Sequence, residues 1–378
     1  MFLELHLIQS FAPSNLNRDD TGNPKDTEFG GVRRARISSQ CIKRAIRLEP
    51  VFAQILGASP GTRTRWLTRI LRDALVKAGK DDQVANTVAL AFARVYLGDM
   101  DRNKPERSNV LIYLSEEEQR EIADILLDNW KPITQELAKG NDTSETLSKL
   151  AEGSAKKLGE VTSAPDVALF GRMLARKPST ITLDAACQVA HAISTHRVNM
   201  DLDFFTAVDD LQEQEESETG AAMMGVTGFN SACFYRYARL DWRQLVQNLD
   251  GDMALARRTV EAFLRATLQA VPTGKQNAFA AQNPPSFALA VCRPDGMGWS
   301  LANAFEQPVR PDRDGGLVAP SIRALDAYWG KLHRTYGDGG ITPVVLLVED
   351  VELQSLRDAL APNVEAWVNC VLAVLPQE

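Results

Sequence analysis

A long helical stretch lies between segments with strand patterns, and this order limits the fold more than any other feature. Residues 58–165 repeat apolar residues at helical spacing and are rich in Ala, Leu, Glu, Lys and Arg. Strand patterns lie on both sides of this stretch, at residues 2–9, 187–197, 232–241, 286–293 and 344–348. One sheet must therefore combine a first strand from before the helical stretch with later strands from after it.

In the first predicted strand, apolar and polar residues alternate. Leu3, Leu5 and Leu7 alternate with Glu4 and His6, which predicts a strand with one buried face. Pro, Asn, Asp and Gly residues then predict a long loop from residue 12 to residue 31.

The order of elements predicts an α+β protein. Strand, helix, insertion, strand, strand, helix and strand is the order of a ferredoxin-like, RNA-recognition-like sheet that is interrupted once. We predict the sheet domain from residues 1–57, 181–197 and 229–378. The helical insertion is predicted at residues 58–180.

The charge balance excludes a protein with a uniformly basic, nucleic-acid-coating surface. The chain has 42 Lys and Arg residues against 49 Asp and Glu residues, a net charge of −7, so a site for a polyanion must be local. No apolar run approaches the ~20 residues that cross a bilayer, and Glu4 and His6 interrupt the opening segment where a signal peptide is apolar. Five cysteines without a CxxC pair favour a reducing compartment and argue against structural zinc. We expect a cytoplasmic protein without a metal or cofactor.

The segment from Gly30 to Arg47 predicts a local anion site. It carries six positive side chains and no negative one. Ser38 or Ser39 can cap a helix on which Lys43 and Arg47 share one face. Glycines that allow close backbone approach, arginines in series and a serine-capped helix favour the phosphates of a polymer backbone. The alternative is a solvated basic helix face after an arginine-rich turn.

A second charged stretch, from Asp201 to Glu218, carries eight acids and no base. One interpretation is a carboxylate cluster for a metal, and the other is a protruding loop that its charge keeps soluble and away from the polyanion. The acids lack the regular spacing of a calcium-binding loop, which favours the second. At the base of the stretch, one of Phe204 and Phe205 is expected in the core, and the other can wedge against a base.

The sequence does not resemble an enzyme. It contains no Walker-type phosphate loop, no GxGxxG after a strand and no GxSxG. His191 and His196 fall on opposite faces of one predicted strand, so we expect both to be structural. One exception stays open, because Asp19, Asp20 and Asp26 in the long loop can assist cleavage of a bound RNA through a metal or by acting on a 2′-hydroxyl.

These segments resemble a known family. The matching motifs are Asn15–Asp20, Lys25–Asp26, Phe29–Gly31, Arg33–Arg34, Arg36–Gln40, Lys43–Ala45, Gly171–Met173, Ala190–Ile193, Thr195–His196, Phe205–Glu213, Phe234–Ala238 and Ala302–Glu306. From its start to about residue 340, the chain is similar to the backbone subunit of the type I-E CRISPR Cascade complex, the CasC family. The helical insertion is the least similar part.

The resemblance implies a hand-shaped subunit with an RNA-recognition-like palm, a helical finger domain and a thumb at residues 198–228. Copies are implied to form a helical filament along CRISPR RNA in antiviral defence, with the guide bases exposed to pair with target DNA. The expected partners are CRISPR RNA, the target DNA strand, further copies of the chain, and the guide-end-capping subunit, large subunit, small subunits and hairpin-processing endonuclease of Cascade. No membrane partner is expected.

The basic segment and the resemblance together predict a set of RNA-binding residues. They are Arg18, Lys25, Arg33, Arg34, Arg36, Ser38, Ser39, Gln40, Lys43, Arg44, Arg47, Arg172, Met173, Phe205, Lys275 and Gln276. The resemblance implies that the helix with Lys43, Arg44 and Arg47 holds guide phosphates and that Met173 helps displace bases, and Phe205 is the candidate wedge. Target DNA is expected to contact Lys149, Lys156 and Lys157.

Two other functions stay open. One is a metal-dependent target-RNA endonuclease subunit of a CRISPR effector that uses Asp19, Asp20 or Asp26. The other is an RNA-binding adaptor that forms no filament.

Overall fold

The computed structural model describes residues 1–57, 60–139, 144–174, 181–207, 223–313, 315–337 and 339–377. The chain divides into two units. Unit 1 comprises Met1–Glu49, Val189–Arg239 and Phe263–Leu375, and unit 2 comprises Pro50–Gln188, Leu240–Ala262 and Pro376–Glu378. Unit 2 thus includes Leu240–Ala262, a segment that the sequence pattern assigns to the sheet domain.

The elements occur along the chain in runs of strands and runs of helices. The strands are β1 Phe2–Ser14, β2 Asp26–Phe29, β3 Val32–Ile37, β4 Thr62–Thr64, β5 Ile112–Leu114, β6 Arg172–Leu174, β7 Ile181–Leu183, β8 Cys187–Val189, β9 Ala192–Ser194, β10 Asp201–Ala207, β11 Met223–Asp241, β12 Phe287–Arg293 and β13 Thr342–Leu347. The α-helices are α1 Ser39–Leu48, α2 Pro50–Leu56, α3 Leu67–Lys77, α4 Asp82–Leu97, α5 Glu116–Asp128, α6 Trp130–Leu137, α7 Glu145–Glu160, α8 Pro165–Phe170, α9 Trp242–Asn248, α10 Met253–Gln269, α11 Gln276–Phe279, α12 Val318–Tyr336 and α13 Val364–Val374.

Unit 1 is built on a large antiparallel sheet. Its strand order is β13-β12-β1-β11-β9-β3-β2, and β10 also pairs with β11. In the register of the central pair, Leu5 lies opposite Ala290. Leu289 of β12 and Trp329 of α12 belong to the buried apolar cluster beside the sheet. The expectation that one sheet combines strands from both ends of the chain is confirmed, and the chain is a mixed α/β protein.

The loop predicted from residue 12 to residue 31 is shorter than expected. Strand β1 continues to Ser14, and β2 occupies Asp26–Phe29. The many turn-forming residues near β2 made this segment look like part of a loop in the sequence. Strand β2 is an edge strand paired with β3. The irregular part, residues 15–25, is called loop L1 below.

Strand β1 is buried on both faces, which corrects the expectation of one buried face. Glu4 and His6 have no exposed surface. The Glu4 carboxylate accepts hydrogen bonds from Trp299 N at 3.0 Å and from the Tyr237 hydroxyl at 3.2 Å. The Nδ1 atom of His6 lies 2.9 Å from the Tyr235 hydroxyl. Residues from distant segments thus satisfy the Glu4 carboxylate and the Nδ1 atom of His6, whereas the buried Nε2 atom of His6 has no hydrogen-bond partner among the described residues.

Burial of His6 makes stability depend on pH. Burial, with the charge of Arg293 as a second cause, lowers the pKa of His6 from 6.5 to about 3. As pH falls below 6.5, the unfolded chain binds a proton at His6 and the folded chain does not. Between these two pH values we expect the free energy of unfolding to fall by about 1.4 kcal/mol per pH unit from this group. His6→Gln should reduce the pH dependence measured by urea unfolding. An unaltered slope in His6→Gln would contradict the prediction.

Unit 2 is mainly helical. Its apolar core includes Leu71 of α3, Phe92 of α4, Leu126 of α5 and Leu147 of α7. Helix α5 begins with the predicted capping box, in which Ser115 and Glu118 exchange side-chain and backbone hydrogen bonds. Two small antiparallel sheets of two strands each, β4 with β5 and β6 with β7, also belong to this unit. Across the described residues of the chain, no helix is both long and apolar enough to cross a membrane.

Candidate nucleic-acid interface

Helix α1 begins where the sequence predicts, with Ser38 as its N-cap. The Ser38 hydroxyl accepts a hydrogen bond from Cys41 N at 3.3 Å, and Ser38 N donates to Asn17 Oδ1 at 2.8 Å. The second bond ties the start of the helix to loop L1. Ile42 and Ile46 are buried, so the basic residues of α1 lie on its other sides.

Six basic side chains lie on α1 or on segments bonded to its start. We call them the basic surface: Arg18, Lys25, Arg36, Lys43, Arg44 and Arg47. Arg18 and Arg44 are exposed, and the other four are half-buried. Lys25 N donates to Asn17 O at 2.8 Å, and Arg36 N donates to Lys25 O at 2.9 Å. Loop L1 and β3 therefore bring their cations to the same end of α1.

Two cations of the basic surface act on the thiol of Cys41. Burial raises its pKa, and the charges of Arg44 and Lys25 partly oppose that rise. A charge on α1 and a charge on loop L1 therefore act on one atom of α1. Clustered cations of this kind attract a polyanion, because they repel one another until phosphates neutralise them.

His191 also lies at the basic surface, although the sequence suggested a structural role. It is exposed and lies just before β9. Its Nδ1 atom accepts a hydrogen bond from Ser39 N at 3.2 Å, and the Arg36 guanidinium lies 3.4 Å from the same atom. Partial burial and the charges of Arg36 and Lys25 lower its pKa. The signal for a site role in the sequence was the motif Ala190–Ile193.

The predicted contacts Lys275 and Gln276 lie beside loop L1. A Cβ atom on Gly274 would overlap the carbonyl oxygen of Leu16, so the two backbones touch. Lys275 has a positive φ of 50°, and its Nζ donates to Thr227 Oγ1 at 2.8 Å. The Gln276 amide donates to a carbonyl of its own segment at 3.0 Å. Both side chains are thus close to the basic surface but engaged within unit 1.

Strands β10 and β11 form a hairpin that carries the predicted wedge, Phe205. Phe205 lies opposite Gly225, and its ring fills the space that a Cβ on Gly225 would need. Its exposed fraction is 41%, against 78% for Phe204 on the opposite face. Residues 208–222 lie outside the described residues, and they include most of the acidic stretch, so neither interpretation of that stretch is tested.

Comparison with known proteins identifies the family. Residues 3–369 match the CT1975-like protein family. The chain belongs to this family. A chain of a "CRISPR RNA-guided surveillance complex, pre-nicking" is 31% identical, with a TM-score of 0.86 over 99% of both chains. A chain of a "CRISPR RNA-guided surveillance complex" is 26% identical, with a TM-score of 0.76 over 99% of this chain and 100% of that one. No curated protein matches.

In this CT1975-like chain, Arg34 is a structural residue. It has no exposed surface, and its guanidinium donates to four backbone carbonyl oxygens, those of Phe29 at 3.0 Å, Ser194 at 3.1 Å, Phe305 at 2.8 Å and Glu306 at 3.3 Å. Burial removes Arg34 from contact with an external phosphate, which corrects the prediction. Its neighbour Arg33 is exposed and forms an ion pair with Asp26.

Arg172, on β6 of unit 2, is also structural. Its exposed fraction is 3%, and its guanidinium lies 2.6 Å from the Glu118 carboxylate. It also donates to Tyr113 O at 2.7 Å. These contacts correct the prediction that Arg172 binds RNA. Met173, the next residue, has an exposed fraction of 78% and stays a candidate for contact with bases.

The candidate DNA-binding lysines of the CT1975-like chain lie on α7. Lys149 Nζ is 2.7 Å from Glu145, and Lys157 Nζ is 2.7 Å from Glu121. Lys156 is exposed. Exposed ion pairs of this kind are weak, so the pairing leaves the prediction of DNA contact open.

The glycines before the basic segment serve the fold. Gly30 and Gly31 form the turn between β2 and β3, with positive φ values of 61° and 71°. A Cβ on Gly30 would overlap the carbonyl oxygen of Glu306, whereas nothing lies within 4 Å of a Cβ on Gly31. The close approach at Gly30 is therefore to the protein's own backbone, which corrects the expectation that it admits a phosphate.

The two turn glycines make a matched pair of substitutions. Gly30→Ala combines an unfavourable backbone conformation with a steric clash, and we expect it to destabilise unit 1 by about 3 kcal/mol or more. Gly31→Ala has the conformational cost alone, about 1 kcal/mol. Thermal unfolding of both variants checks the prediction. Equal losses would show that the contact with Glu306 contributes nothing.

Proposed function

We propose that this CT1975-like protein is the guide-RNA-binding backbone subunit of a Cascade-type CRISPR RNA-guided surveillance complex of type I-E. The observation that carries the proposal is the basic surface, which collects cations from loop L1, β3 and α1 in a chain of net charge −7. Similarity along 99% of the chain to chains of two CRISPR RNA-guided surveillance complexes supports the assignment.

The basic surface binds the guide through its phosphates. Phosphate contacts carry no sequence information, so affinity is electrostatic and the same surface accepts any guide. The arginine guanidinium groups add hydrogen bonds to phosphate oxygens, and the N-terminal end of α1 adds the partial positive charge of its helix dipole. The guide bases stay available to pair with target DNA, and base pairing supplies the specificity.

Many copies share one guide. In this proposal, unit 1 is the RNA-recognition-like palm, residues 58–180 are the finger domain, and the β10–β11 hairpin is the base of the thumb. A head-to-tail contact that does not close into a ring produces a helical filament, and the RNA sets its length. Avidity along the RNA then offsets a modest affinity per copy. We further propose that the subunit has no catalytic activity and acts in the cytoplasm with the other Cascade subunits.

One experiment tests the assignment. The chain is purified alone and with a CRISPR RNA, and the absorbance ratio and molar mass are measured before and after ribonuclease treatment. Large RNA-dependent assemblies that become smaller on digestion support a guide-coating filament. A single chain bound to each RNA supports the adaptor without a filament. An RNA-free monomer under both conditions, and also after co-expression with the other subunits, would reject RNA binding.

The endonuclease alternative receives less support. The Asp19 carboxylate accepts hydrogen bonds from Thr21 N at 2.9 Å and Asn23 N at 3.0 Å, and bonding to the Thr21 hydroxyl is the main cause of its lowered pKa. Asp26 is paired with Arg33. Two of the three candidate acids therefore stabilise loop L1 and its neighbourhood. Metal-dependent cleavage of target RNA that is lost in Asp20→Ala would support the endonuclease function.

A further inference from the structure

We propose that His191 is an additional guide contact that donates a hydrogen bond to a phosphate oxygen as a neutral imidazole. The proposal rests on the function proposed above and adds a residue that the sequence predicted to be structural. The ring is exposed at the basic surface, and groups on β3 and α1 hold its Nδ1 atom.

Two donors fix the tautomer of His191. A backbone N–H can only donate, and Ser39 N lies 3.2 Å from Nδ1, so Nδ1 is the acceptor. The Arg36 guanidinium, another obligatory donor, lies 3.4 Å from the same atom. The proton of the neutral ring is therefore on Nε2. Within the described residues, Nε2 has no hydrogen-bond partner, and it is the atom available to a ligand.

The same neighbours keep the ring neutral. A second proton on Nδ1 would break the bond from Ser39 N and would face the guanidinium of Arg36. Partial burial is the largest cause of the lowered pKa of His191, and the positive charges of Arg36 on β3 and Lys25 on loop L1 lower it further. His191 is thus a hydrogen-bond donor without a charge, among neighbours that are cations.

A phosphate is the ligand that fits this arrangement. An oxygen that accepts from Nε2 lies in the field of Lys25 and Arg36, where a negative charge is favoured. A neutral donor orients the phosphate but releases no counterion, so His191 contributes to affinity and not to its salt dependence. This difference separates His191 from every cation of the basic surface.

The experiment measures binding of a short fluorescein-labelled single-stranded RNA to the full chain over a series of salt concentrations. His191→Phe keeps an aromatic ring and removes both the Nε2 donor and the Nδ1 acceptor for Ser39 N, and Lys25→Ala is the matched cationic control. We expect His191→Phe to weaken binding about tenfold with an unchanged salt slope. Lys25→Ala should weaken binding and reduce the slope by about 0.7. Unchanged melting temperatures confirm that both variants fold.

The possible outcomes are distinct. Unchanged affinity in His191→Phe would overturn the contact. Weaker binding with a slope reduced as in Lys25→Ala would show a charged imidazolium and would overturn the neutral donor. Failure of the natural chain to bind RNA would instead reject the proposed function. If Lys25→Ala binds RNA as tightly as the natural chain and with the same salt slope, phosphates do not bind at this part of the basic surface, and the contact with His191 is overturned as well.

Discussion

A variant with Lys25→Glu and Arg44→Glu is expected to lose guide RNA during purification and to keep the melting temperature of the natural chain. Lys25 lies on loop L1 and Arg44 on α1, and hydrogen bonds through Asn17 join the loop to the start of α1, so one stretch of RNA backbone can contact both. Each charge-assisted hydrogen bond to phosphate contributes about 1.5–3 kcal/mol. Reversal adds repulsion to that loss, and we expect affinity to fall by about a hundredfold or more. Filter binding at low and moderate salt gives the measurement. The neighbouring pair Lys43→Glu and Arg47→Glu is expected to act in the same way.

The control for this variant changes charge elsewhere in unit 1. Lys331 and Arg334 are exposed on α12, so Lys331→Glu with Arg334→Glu makes the same change in net charge away from the basic surface. Its RNA affinity should stay close to that of the natural chain. Equal loss of RNA in both variants would mean that net charge, and not the basic surface, governs binding. Full retention of RNA in Lys25→Glu with Arg44→Glu would contradict the proposed interface.

The alternation of β1 shows both the strength and the limit of sequence reasoning. Leu3, Leu5 and Leu7 identified the strand, but a period of two cannot tell whether polar positions face water or a buried network. Glu4 and His6 are buried because β11 and the segment before residue 301 supply their partners. Those partners are more than 200 residues away in the chain, and no local pattern reports them.

The arginines of β3 make the same point at the candidate site. Arg33, Arg34 and Arg36 look alike in the sequence, yet one is paired with Asp26, one is fully buried and one lies at the basic surface. Arg34 differs from the other two because four carbonyl oxygens surround its guanidinium, three of them from distant segments. The serine cap and the basic face of α1 were predictable because they depend on residues a few positions apart. His191 was not predictable from the residues themselves, because its contacts with Arg36 and Ser39 span more than 150 residues.

The buried ion pair of unit 2 gives the second large effect. Arg172 and Glu118 have exposed side-chain fractions of 2% and 5% and lie 2.6 Å apart. Arg172→Met leaves the Glu118 carboxylate buried with hydrogen bonds from Thr162 at 2.7 Å and from Ser115 N at 2.7 Å, but without a counterion. Removing one partner of a buried pair costs about 3–5 kcal/mol. For a unit of this size we expect the melting temperature of unit 2 to fall by about 10 °C.

An exposed pair in the same unit is the control for Arg172→Met. Lys157 and Glu121 lie 2.7 Å apart with exposed side-chain fractions of 60% and 41%, so Lys157→Met should cost less than about 1 kcal/mol.

Two neighbouring residues of β6 have different expected roles, Arg172 in stability and Met173 in contact with bases. Met173→Ala should leave the melting temperature unchanged, while Arg172→Met lowers it. The pair holds the strand that presents Met173 to solvent, so Arg172 contributes to any contact of Met173 with bases through the stability of unit 2. An Arg172→Met variant that melts like the natural chain but loses RNA would restore Arg172 as a direct contact and would contradict its structural role.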